Sequence, residues 1–571
     1  AARHPPELTQ RGGLAMLNRR QRARHIPCDC GGSAVSEEHN MAETGAAVLV
    51  RALKAAGVER IFTLSGNQIL PIYDACLDQG IAITDTRHEG AAAHMADAWA
   101  RLRGVPGVCL VSAGPGHTNA LTAVLNARLA ESPVLWLSGG SDRATFGKGG
   151  FQELDQPGIA AHACKAAWRV EDARELPALV ACAWETMLSG RPGPVHLTLP
   201  ADLLAGPADG AAVAATPVPP LSREADPAAI ERALAALAAA ERPLVLASPS
   251  AARGAAGAAL AAFGAATGIP VFAIDSPRGL TDPALHDASA AFRAADVILL
   301  LAPLDYAVGF AGPKAFDPAA TLIQVASDAS ESGRVAIGLA GDAAAALAQL
   351  RMGAVIHQWD ASAWRARLDA ARAAGRARFA ACERSDETPI HPLRLLAEAR
   401  DLLPPDAAVT IDGGEFAQWA RWAFGDWSGP VLVNGKLGMI GPAIPFAIGA
   451  AIARPGAPVV AFLGDGTFGF HALEFDTAVR HNVPFVAIIG NDATWAAERH
   501  RQVAFYGADR VVASDLLPSR YDQIASALGG HGEFVQRPEE IRPAVARALA
   551  SGKPACVNVL VASVPSPAAP V

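Results

Sequence analysis

The sequence has no long block of one charge and no apolar run long enough to cross a membrane. Its 571 residues contain 48 Lys and Arg against 56 Asp and Glu, a net charge of −8, and no basic block lies beyond the first forty residues. A nucleic-acid-binding surface is therefore not expected. The longest apolar stretch, residues 442–453, ends at Arg454 and falls short of the ~20 residues that a membrane-spanning helix needs. No membrane association is expected either.

Cysteine is scarce as well. The chain has eight cysteines with no spacing that suggests disulfide pairs. Five of them lie among apolar residues and are predicted to be buried thiols: Cys76, Cys109, Cys164, Cys182 and Cys556. Free buried thiols are typical of a reducing compartment, so the expected location is the cytoplasm.

The first forty residues differ from the rest of the chain. One acid, Glu7, precedes Asp29, while arginine is frequent at positions 3, 11, 19, 20, 22 and 24. Such a composition is typical of a transit peptide. The interpretation that we favour is an extension, residues 1–40, upstream of a natural start at Met41 and without a fold of its own. Cys28 and Cys30, next to His25, could bind a metal, although C-x-C alone is a weak signal.

From Thr44 onward, apolar runs alternate with helix-like stretches, which is the pattern of parallel sheets covered by helices. Strands are predicted at 61–64, 81–85, 107–112, 133–138, 243–247, 270–274, 296–301, 321–325, 408–411, 459–463, 484–489 and 555–560. Helices are predicted at 46–56, 89–102 and 119–129. A Pro-rich stretch (216–221) and an Arg-rich passage (359–387) separate three blocks. The sequence therefore predicts an α/β protein with three doubly wound parallel-sheet domains, at 41–205, 222–355 and 390–571.

The third block carries the strongest chemical signal. A strand-like run, Val460–Leu463, leads directly into Gly464-Asp465-Gly466, and a second run leads into Asn491-Asp492. Parallel sheets bind their ligands at the carboxyl ends of their strands. The glycines let the backbone approach a phosphate, and a helix expected to begin near Phe470 would offer N–H groups to it. Oxygen side chains beside a diphosphate suit Mg²⁺, although Gly, Asp and Asn are also common in plain turns.

The spacing of these residues resembles the motif of thiamine-diphosphate enzymes, a Gly-Asp-Gly followed at a fixed distance by Asn-Asn. Here 492 minus 465 is 27. The resemblance implies that Asp465 and Asp492 ligate Mg²⁺ together with the carbonyl of Thr494, and that Gly466 and Thr467 contact the cofactor. Where the family has asparagine this chain has Asp492, which adds a negative charge opposite the diphosphate.

Other parts of the third block resemble the same family. Ile440, between Gly438 and Gly441, matches the aliphatic residue that bends the cofactor, and Gly438 matches the residue whose carbonyl accepts from its 4′-amino group. Gly413 and Gly414 match the loop that meets the diphosphate. The resemblance thus implies a pyrimidine-binding first domain, a central domain and a diphosphate-binding third domain.

The first block supplies a candidate for proton transfer. Glu89 follows a strand-like run and opens a helix-like stretch. In the family a glutamate at this junction hydrogen-bonds N1′ of the aminopyrimidine and so promotes loss of the C2 proton of the thiazolium. A glutamate at a helix N-terminus is also favoured by the helix dipole alone, which is the structural alternative.

Within the family, the chain resembles the branch that contains acetolactate synthase, benzaldehyde lyase and 2-hydroxyacyl-CoA lyase. Gln152, next to Phe151, and Lys165 match polar residues of acetolactate synthase, and Gln68 stands where benzaldehyde lyase has a catalytic histidine. These residues are expected to line the substrate side. Arg501 falls where acetolactate synthase has a tryptophan that selects its second keto acid.

The resemblance implies cleavage or formation of a C–C bond next to a carbonyl in 2-keto or 2-hydroxy substrates. We favour a 2-hydroxyacyl lyase or carboligase, with an acetolactate synthase catalytic subunit as the alternative. A catalytically silent cofactor-binding subunit is the alternative from another class. In this family the first and third domains of an active site come from different subunits, so a homodimer is the expected minimum and a homotetramer the expected assembly. No G-x-G-x-x-G follows the first strand of the second block. Whether the central domain holds FAD, ADP, CoA or no nucleotide stays open.

Overall fold

The structure is a computed structural model that describes residues 43–208, 210, 222–312, 315–326, 334–354 and 360–567. These residues form three parallel β-sheets, each covered by helices. The α/β class with three doubly wound domains is therefore confirmed. The extension at 1–40 and the Pro-rich stretch at 216–221 lie outside the described residues, and the exact domain boundaries stay predictions.

The first domain is built on a sheet with strand order β2-β1-β3-β4-β6-β5. Its strands are β1 (Arg60–Thr63), β2 (Ala82–Asp85), β3 (Gly107–Val111), β4 (Val134–Gly140), β5 (Ala166–Arg169) and β6 (Val195–Pro200). Its helices are α1 (Gly45–Ala55), α2 (Leu70–Gln79), α3 (Glu89–Arg103), α4 (Pro115–Leu129), α5 (Gln156–Ala160), α6 (Leu176–Leu188) and α7 (Ala201–Ala205). Strands β3 and β4 are buried along their whole length, as the central strands of a parallel sheet are.

The central domain has a smaller sheet with strand order β11-β10-β9-β7-β8. Its strands are β7 (Pro243–Ala247), β8 (Val271–Ala273), β9 (Val297–Leu301), β10 (Thr321–Ala326) and β11 (Ile337–Ala340). Its helices are α8 (Pro227–Ala238), α9 (Gly254–Thr267), α10 (Ala288–Phe292), α11 (Leu304–Val308), α12 (Ala343–Ala354) and α13 (Ser362–Ala377). Helix α13 occupies the Arg-rich passage that sequence analysis placed between the domains. Its Trp364 and Leu368 are buried in the core of the central domain.

The third domain repeats the strand order of the first, as β13-β12-β14-β15-β17-β16. Its strands are β12 (Ala408–Ile411), β13 (Val431–Val433), β14 (Val459–Gly464), β15 (Val486–Asn491), β16 (His531–Val535) and β17 (Ala555–Leu560). Its helices are α14 (Pro392–Leu402), α15 (Glu415–Ala423), α16 (Ala443–Ala453), α17 (Asp465–His471), α18 (Glu474–Arg480), α19 (Ala496–Tyr506), α20 (Tyr521–Ala527) and α21 (Pro538–Ala550). The two outer domains therefore present equivalent carboxyl edges.

Each predicted strand has a counterpart in the structure, but five strands were not predicted: β5, β6, β11, β13 and β16. The edge strands β5 and β16 are largely half-buried, so they lack the apolar run that marks a central strand. Strand β13 has only three residues. Short and partly exposed strands give little periodic signal in a sequence.

Two expectations were wrong. The helix expected to begin near Phe470 begins at Asp465, directly after β14, so the acid itself opens the helix. Cys182 is exposed, since it lies on the outer face of α6 while Val180, Ala183 and Trp184 face the core. Cys76, Cys109, Cys164 and Cys556 are buried free thiols, as predicted.

The longest apolar stretch of the sequence forms α16, which packs against α3 of the first domain. The contact is close: a Cβ added at Gly449 would lie 2.8 Å from the carbonyl oxygen of Met95. The stretch is thus apolar because protein covers most of it. In the part of the chain that the structure describes, no helix is both long and apolar enough to span a bilayer.

Candidate active site

A cavity of about 270 Å³ opens at the carboxyl edge of the third sheet. It brings together nine residues that the sequence singled out in this domain: Gly413, Gly414, Gly438, Ile440, Asp465, Gly466, Thr467, Asp492 and Thr494. They come from the ends of β12, β14 and β15 and from the loop before α16. Their chain positions are far apart, and the order of the strands makes them neighbours.

Asp465 and Asp492 form a pair of acids within this cavity. Burial, and then the neighbouring charge of Asp492, raise the pKa of Asp465 to about 7. The pKa of Asp492 is also raised, chiefly by burial. Two buried carboxyl groups with raised pKa values would be stabilised in their ionised forms by a counter-ion.

The pair suits a divalent cation. The Oδ2 atom of Asp465 is buried without a hydrogen-bond partner in the structure, so one acceptor has no proton donor. A hard cation such as Mg²⁺ prefers carboxylate and carbonyl oxygens and takes its remaining ligands from water and phosphate. Over the described residues, no group of three or more His, Cys, Asp or Glu side chains could hold a metal. A cation here would therefore depend on a phosphorylated ligand as well as on protein.

The structure also separates Asp492 from its neighbour Asn491. Asn491 is buried, and its amide donates to Ser519 O and to Asn558 Oδ1, both at 3.1 Å. Its Oδ1 accepts from the N–H of Ala493, whose φ is +54°. Asn491 thus fixes the turn, while Asp492 is the member of the pair that lines the cavity.

A buried acid that sequence analysis did not assign, Asp412, holds the loop before α16. One oxygen of Asp412 accepts from the N–H groups of Gly441 (2.7 Å) and Gly413 (2.8 Å), and the other accepts from that of Ala443 (3.0 Å). These bonds tie the loop that carries Ile440 to the end of β12. Burial raises the pKa of Asp412 to about 6. Its position directly after a strand and before two glycines was the available signal.

Glycine is required in this loop for a steric reason. Gly441 has φ +100°, and a Cβ there would lie 2.7 Å from Cβ of Phe470. Gly466 faces the ring of Trp495, which a Cβ would approach to 2.6 Å.

Glu89 is the first residue of α3, as predicted, and it is buried. Its Oε2 accepts a hydrogen bond from Asn119 Nδ2 at 3.0 Å. Gly116 lies beside it, since a Cβ there would be 3.5 Å from Glu89 Oε1. Asn119 is a second residue that sequence analysis missed; it stands on the helix that follows β3, where a Gly-Pro-Gly turn was visible.

Gln68 and Gln152 lie together on the same side of the first domain. Gln68 Nε2 donates to Gln152 Oε1 at 2.7 Å, and Gln152 packs against Gly114, two residues from Gly116. Gln68 follows β1, Glu89 follows β2 and Gln152 follows β4. In a parallel sheet these positions share the carboxyl edge, so the structure groups Glu89, Gln68 and Gln152.

Lys165 is separated from this group. It precedes β5, at the amino edge of the same sheet, and its Nζ donates to the carbonyl of Ser189. It lines a second cavity, about 1280 Å³, between the first and central domains. Burial, and then the charges of Arg128 and Arg191, lower the pKa of Lys165 to about 8. The connection from β4 to β5 starts at the carboxyl edge of the sheet, where Gln152 lies, and ends at the amino edge, where Lys165 lies. Spacing along the chain did not reveal this separation.

Glu89, Gln68 and Gln152 do not line the cavity of Asp465 in the described chain. The loop before Glu89 instead meets the third domain beyond that cavity, where Arg87 N–H donates to buried Glu474 (3.1 Å) and the His88 ring lies 5.6 Å from that of His471. His471 is at the opposite end of α17 from Asp465. Within one chain, the group of Glu89, Gln68 and Gln152 is thus separate from the cavity of Asp465.

The geometry is that of an α/β enzyme with a place for a phosphorylated ligand at a sheet edge. The family models for thiamine pyrophosphate enzymes match in three parts: the N-terminal TPP binding domain at residues 43–159, the central domain at 230–350 and the C-terminal TPP binding domain at 412–559. The chain belongs to this family of thiamine-diphosphate-dependent enzymes.

Curated relatives place the chain in the expected branch. It is 37% identical over 526 residues to a probable acetolactate synthase of Mycobacterium bovis, which covers 90% of this chain and 95% of the relative. It is 32% identical over 568 residues to 2-hydroxyacyl-CoA lyase 2 of Homo sapiens, covering 89% of this chain and 88% of the relative. The protein of that name from Bos taurus is 32% identical over 570 residues, with the same coverage.

Proposed function

We propose that the protein is a Mg²⁺- and thiamine-diphosphate-dependent 2-hydroxyacyl lyase or carboligase. The observation that carries the proposal is the shared cavity of Asp465, Asp492, Gly438 and Ile440 at one sheet edge, matched by Glu89 at the equivalent edge of the first sheet. The cofactor, when bound, supplies an electron sink next to a substrate carbonyl.

The residues of the two sheet edges have separate roles in this proposal. Asp465, Asp492 and the carbonyl of Thr494 would hold Mg²⁺, and Gly413, Gly414, Gly466 and Thr467 would lie beside the diphosphate. Ile440 shapes the bound cofactor, and Asp412 keeps the loop of Ile440 in place through its three backbone bonds. Glu89 would hold or release the proton shared with N1′ of a bound aminopyrimidine, and Asn119 orients its carboxyl group. Gln68 and Gln152 face the substrate.

The active unit is a homodimer, in which a second copy brings its Glu89 to the cavity of Asp465. This follows from the separation of Glu89 and Asp465 within one chain. Exposed apolar side chains lie beside both halves: Phe151 is 74% exposed next to Gln152, and Phe470 and Leu473 are 53% and 57% exposed on the third domain. Such side chains are typical of a covered interface.

The second cavity suits a nucleotide or another phosphorylated ligand of the FAD, ADP or CoA type. It is lined by Arg128, Lys165, Arg191, Arg223 and Arg253 against three acids, Glu131, Glu185 and Asp342. The loop from Ser248 to the start of α9 also lines it, at the carboxyl end of β7. Strand β7 lies where the order of the central sheet reverses, the usual position for nucleotides in doubly wound sheets.

An acetolactate synthase is the second candidate, favoured by the similarity to the mycobacterial relative. Against it, Arg501 lines the cavity at the position where the resemblance places an aromatic wall. Arginine offers a fork of donors rather than an apolar surface. We therefore expect slow or no formation of acetolactate from pyruvate.

The test is a substrate screen of the purified protein with thiamine diphosphate and Mg²⁺, with and without FAD. We expect cleavage of 2-hydroxyacyl-CoA or of acyloins, and ligation of aldehydes. Acetolactate formation at or above the usual enzyme median of ~10 s⁻¹ would replace the lyase assignment by the synthase. A cofactor that binds without the circular-dichroism band of its imino form would indicate a silent subunit instead.

A further inference from the structure

One side chain of the cofactor cavity comes from the central domain and has no assigned role. Arg278, in the loop after β8, lines the cavity together with Arg501 of α19. Among the described residues, no hydrogen-bond or ion-pair partner of the Arg278 guanidinium is found. A half-buried arginine with no partner in the chain is available to bind an anionic ligand.

The backbone of Arg278 is held rigidly. Its carbonyl accepts from the N–H groups of Thr281 (3.1 Å) and Phe310 (3.2 Å) and from the Thr281 hydroxyl (2.9 Å), and its own N–H donates to Ser276 Oγ (3.2 Å). The next residue, Gly279, has φ +56°, and a Cβ there would lie 2.6 Å from the carbonyl oxygen of Ala307. A fixed backbone beneath an unpaired charged side chain is typical of a binding position.

The acids near Arg278 have partners of their own. Asp282 accepts from Arg421, with its Oδ2 2.9 Å from Arg421 Nη2, and Arg421 also pairs with Asp275 at 2.6 Å. Glu415 accepts from the N–H of Ser566 and lies 3.6 Å from His500 Nδ1. The pKa of Arg278 is lowered chiefly by burial; Asp282 and Glu415 oppose the shift and Arg501 adds to it.

The loop of Arg278 also touches the part of the site that meets the cofactor. Pro277 Cβ would lie 3.6 Å from a Cβ added at Gly438. On the other side, Arg501 is 62% exposed and reaches Glu498 only at 4.0 Å. Two arginines, Arg278 with a hydrogen-bonded backbone and Arg501 with a largely exposed side chain, thus line the cavity.

We propose that Arg278, assisted by Arg501, binds an anionic oxygen group of the substrate, a carboxylate or a phosphate that stays remote from the reacting carbonyl. The inference rests on the proposed carboligase function and narrows its substrate class. The planar guanidinium of arginine pairs with both anions through two parallel hydrogen bonds, which neutral aldehydes cannot accept in the same way.

The test compares matched pairs of acceptors on the protein loaded with thiamine diphosphate and Mg²⁺. Succinic semialdehyde is set against butanal for the carboxylate, and glyceraldehyde 3-phosphate against glyceraldehyde for the phosphate. Binding is followed by quenching of tryptophan fluorescence, because Trp419 and Trp495 line the same cavity. We expect Arg278→Met to weaken binding of one anionic acceptor by about tenfold to a hundredfold and to leave its neutral partner unchanged.

Two variants separate the inference from simple damage. Arg278→Lys should restore part of the anionic binding, since it keeps the charge and loses the fork. Arg351→Met, an exposed arginine on α12 of the same domain, should change nothing. Equal binding of both anionic acceptors by wild type and Arg278→Met, or an equal loss for neutral acceptors, would overturn the assignment.

Turnover then distinguishes this assignment from the proposed function. If ligation proceeds, KM for the anionic acceptor should rise in Arg278→Met while kcat and the KM for butanal stay the same. If no acceptor is turned over but charge-selective binding still depends on Arg278, the carboligase function fails and the anion site stands. If butanal is ligated equally well and charge selectivity is absent, the anion site fails and the function stands.

Discussion

Two inactive variants of this protein should restore activity to each other when they are mixed. Glu89 lies at the carboxyl edge of the first sheet, and Asp465 opens into a cavity that Glu89 does not line. If a second copy supplies Glu89, each active site combines the first domain of one subunit with the third domain of the other. Glu89→Gln and Asp465→Ala then disable different halves.

The size of the recovery follows from counting. Random reassociation of equal amounts yields about half mixed dimers, and each mixed dimer has one site with both residues intact and one with neither. About one quarter of the wild-type sites, and of the wild-type activity, should therefore return. If one chain supplied both residues, every site would carry one lesion and no activity would return.

The assay is coexpression of the two variants with different affinity tags, followed by ligation or cleavage measurements before and after purification of the doubly tagged dimer. About one quarter of the wild-type activity is expected in the unfractionated mixture and about one half in the doubly tagged dimer, where every molecule is mixed. Mixing Asp465→Ala with Asp492→Ala is the matched control, because both lesions lie in the third domain and every site keeps one of them. Recovery in the control, or none in the Glu89→Gln mixture despite dimers of normal stability, would refute the shared site.

Three further outcomes are expected. Glu89→Gln should keep the hydrogen bond to Asn119 and the cofactor but lose ~10²–10⁴ in rate, because an amide cannot exchange the proton; a rate within threefold of wild type would remove Glu89 from the mechanism. Asp465→Ala should lose Mg²⁺-dependent retention of thiamine diphosphate on gel filtration, whereas Asp492→Asn should keep it; loss in Asn491→Ala with no effect at Asp492 would shift the register by one. Mg²⁺ needs Asp465 ionised, and its pKa in the metal-free protein is about 7. Apparent Mg²⁺ affinity by calorimetry should thus fall by about tenfold from pH 8 to pH 6. Burial is the main cause of the raised pKa and the charge of Asp492 adds to it, so Asp492→Asn should move the fall to somewhat lower pH.

The sequence by itself determined the fold class and the main parts of the third-domain site. Central parallel strands are buried on both faces, so apolar runs such as Val459–Gly464 stand out in the sequence. The glycines and acids at the ends of these runs indicate a site for a phosphate and a cation. The position of Glu89 at a helix start was equally visible, because the change from strand to helix period falls there.

Only the tertiary structure decided which of these residues meet. Gln152 and Lys165 lie on the same connection between β4 and β5, but at opposite edges of the sheet, and chain spacing could not show this. Asp412 and Asn119 act through contacts with distant backbone and side chains, and no local pattern encodes such a contact. Arg278 reaches the cavity from another domain by the packing of one loop against Gly438. The periodicity that predicts a strand or a helix depends on residues that are close in the sequence. These contacts join residues that are distant in the sequence, and they depend on how the three domains fold and pack together.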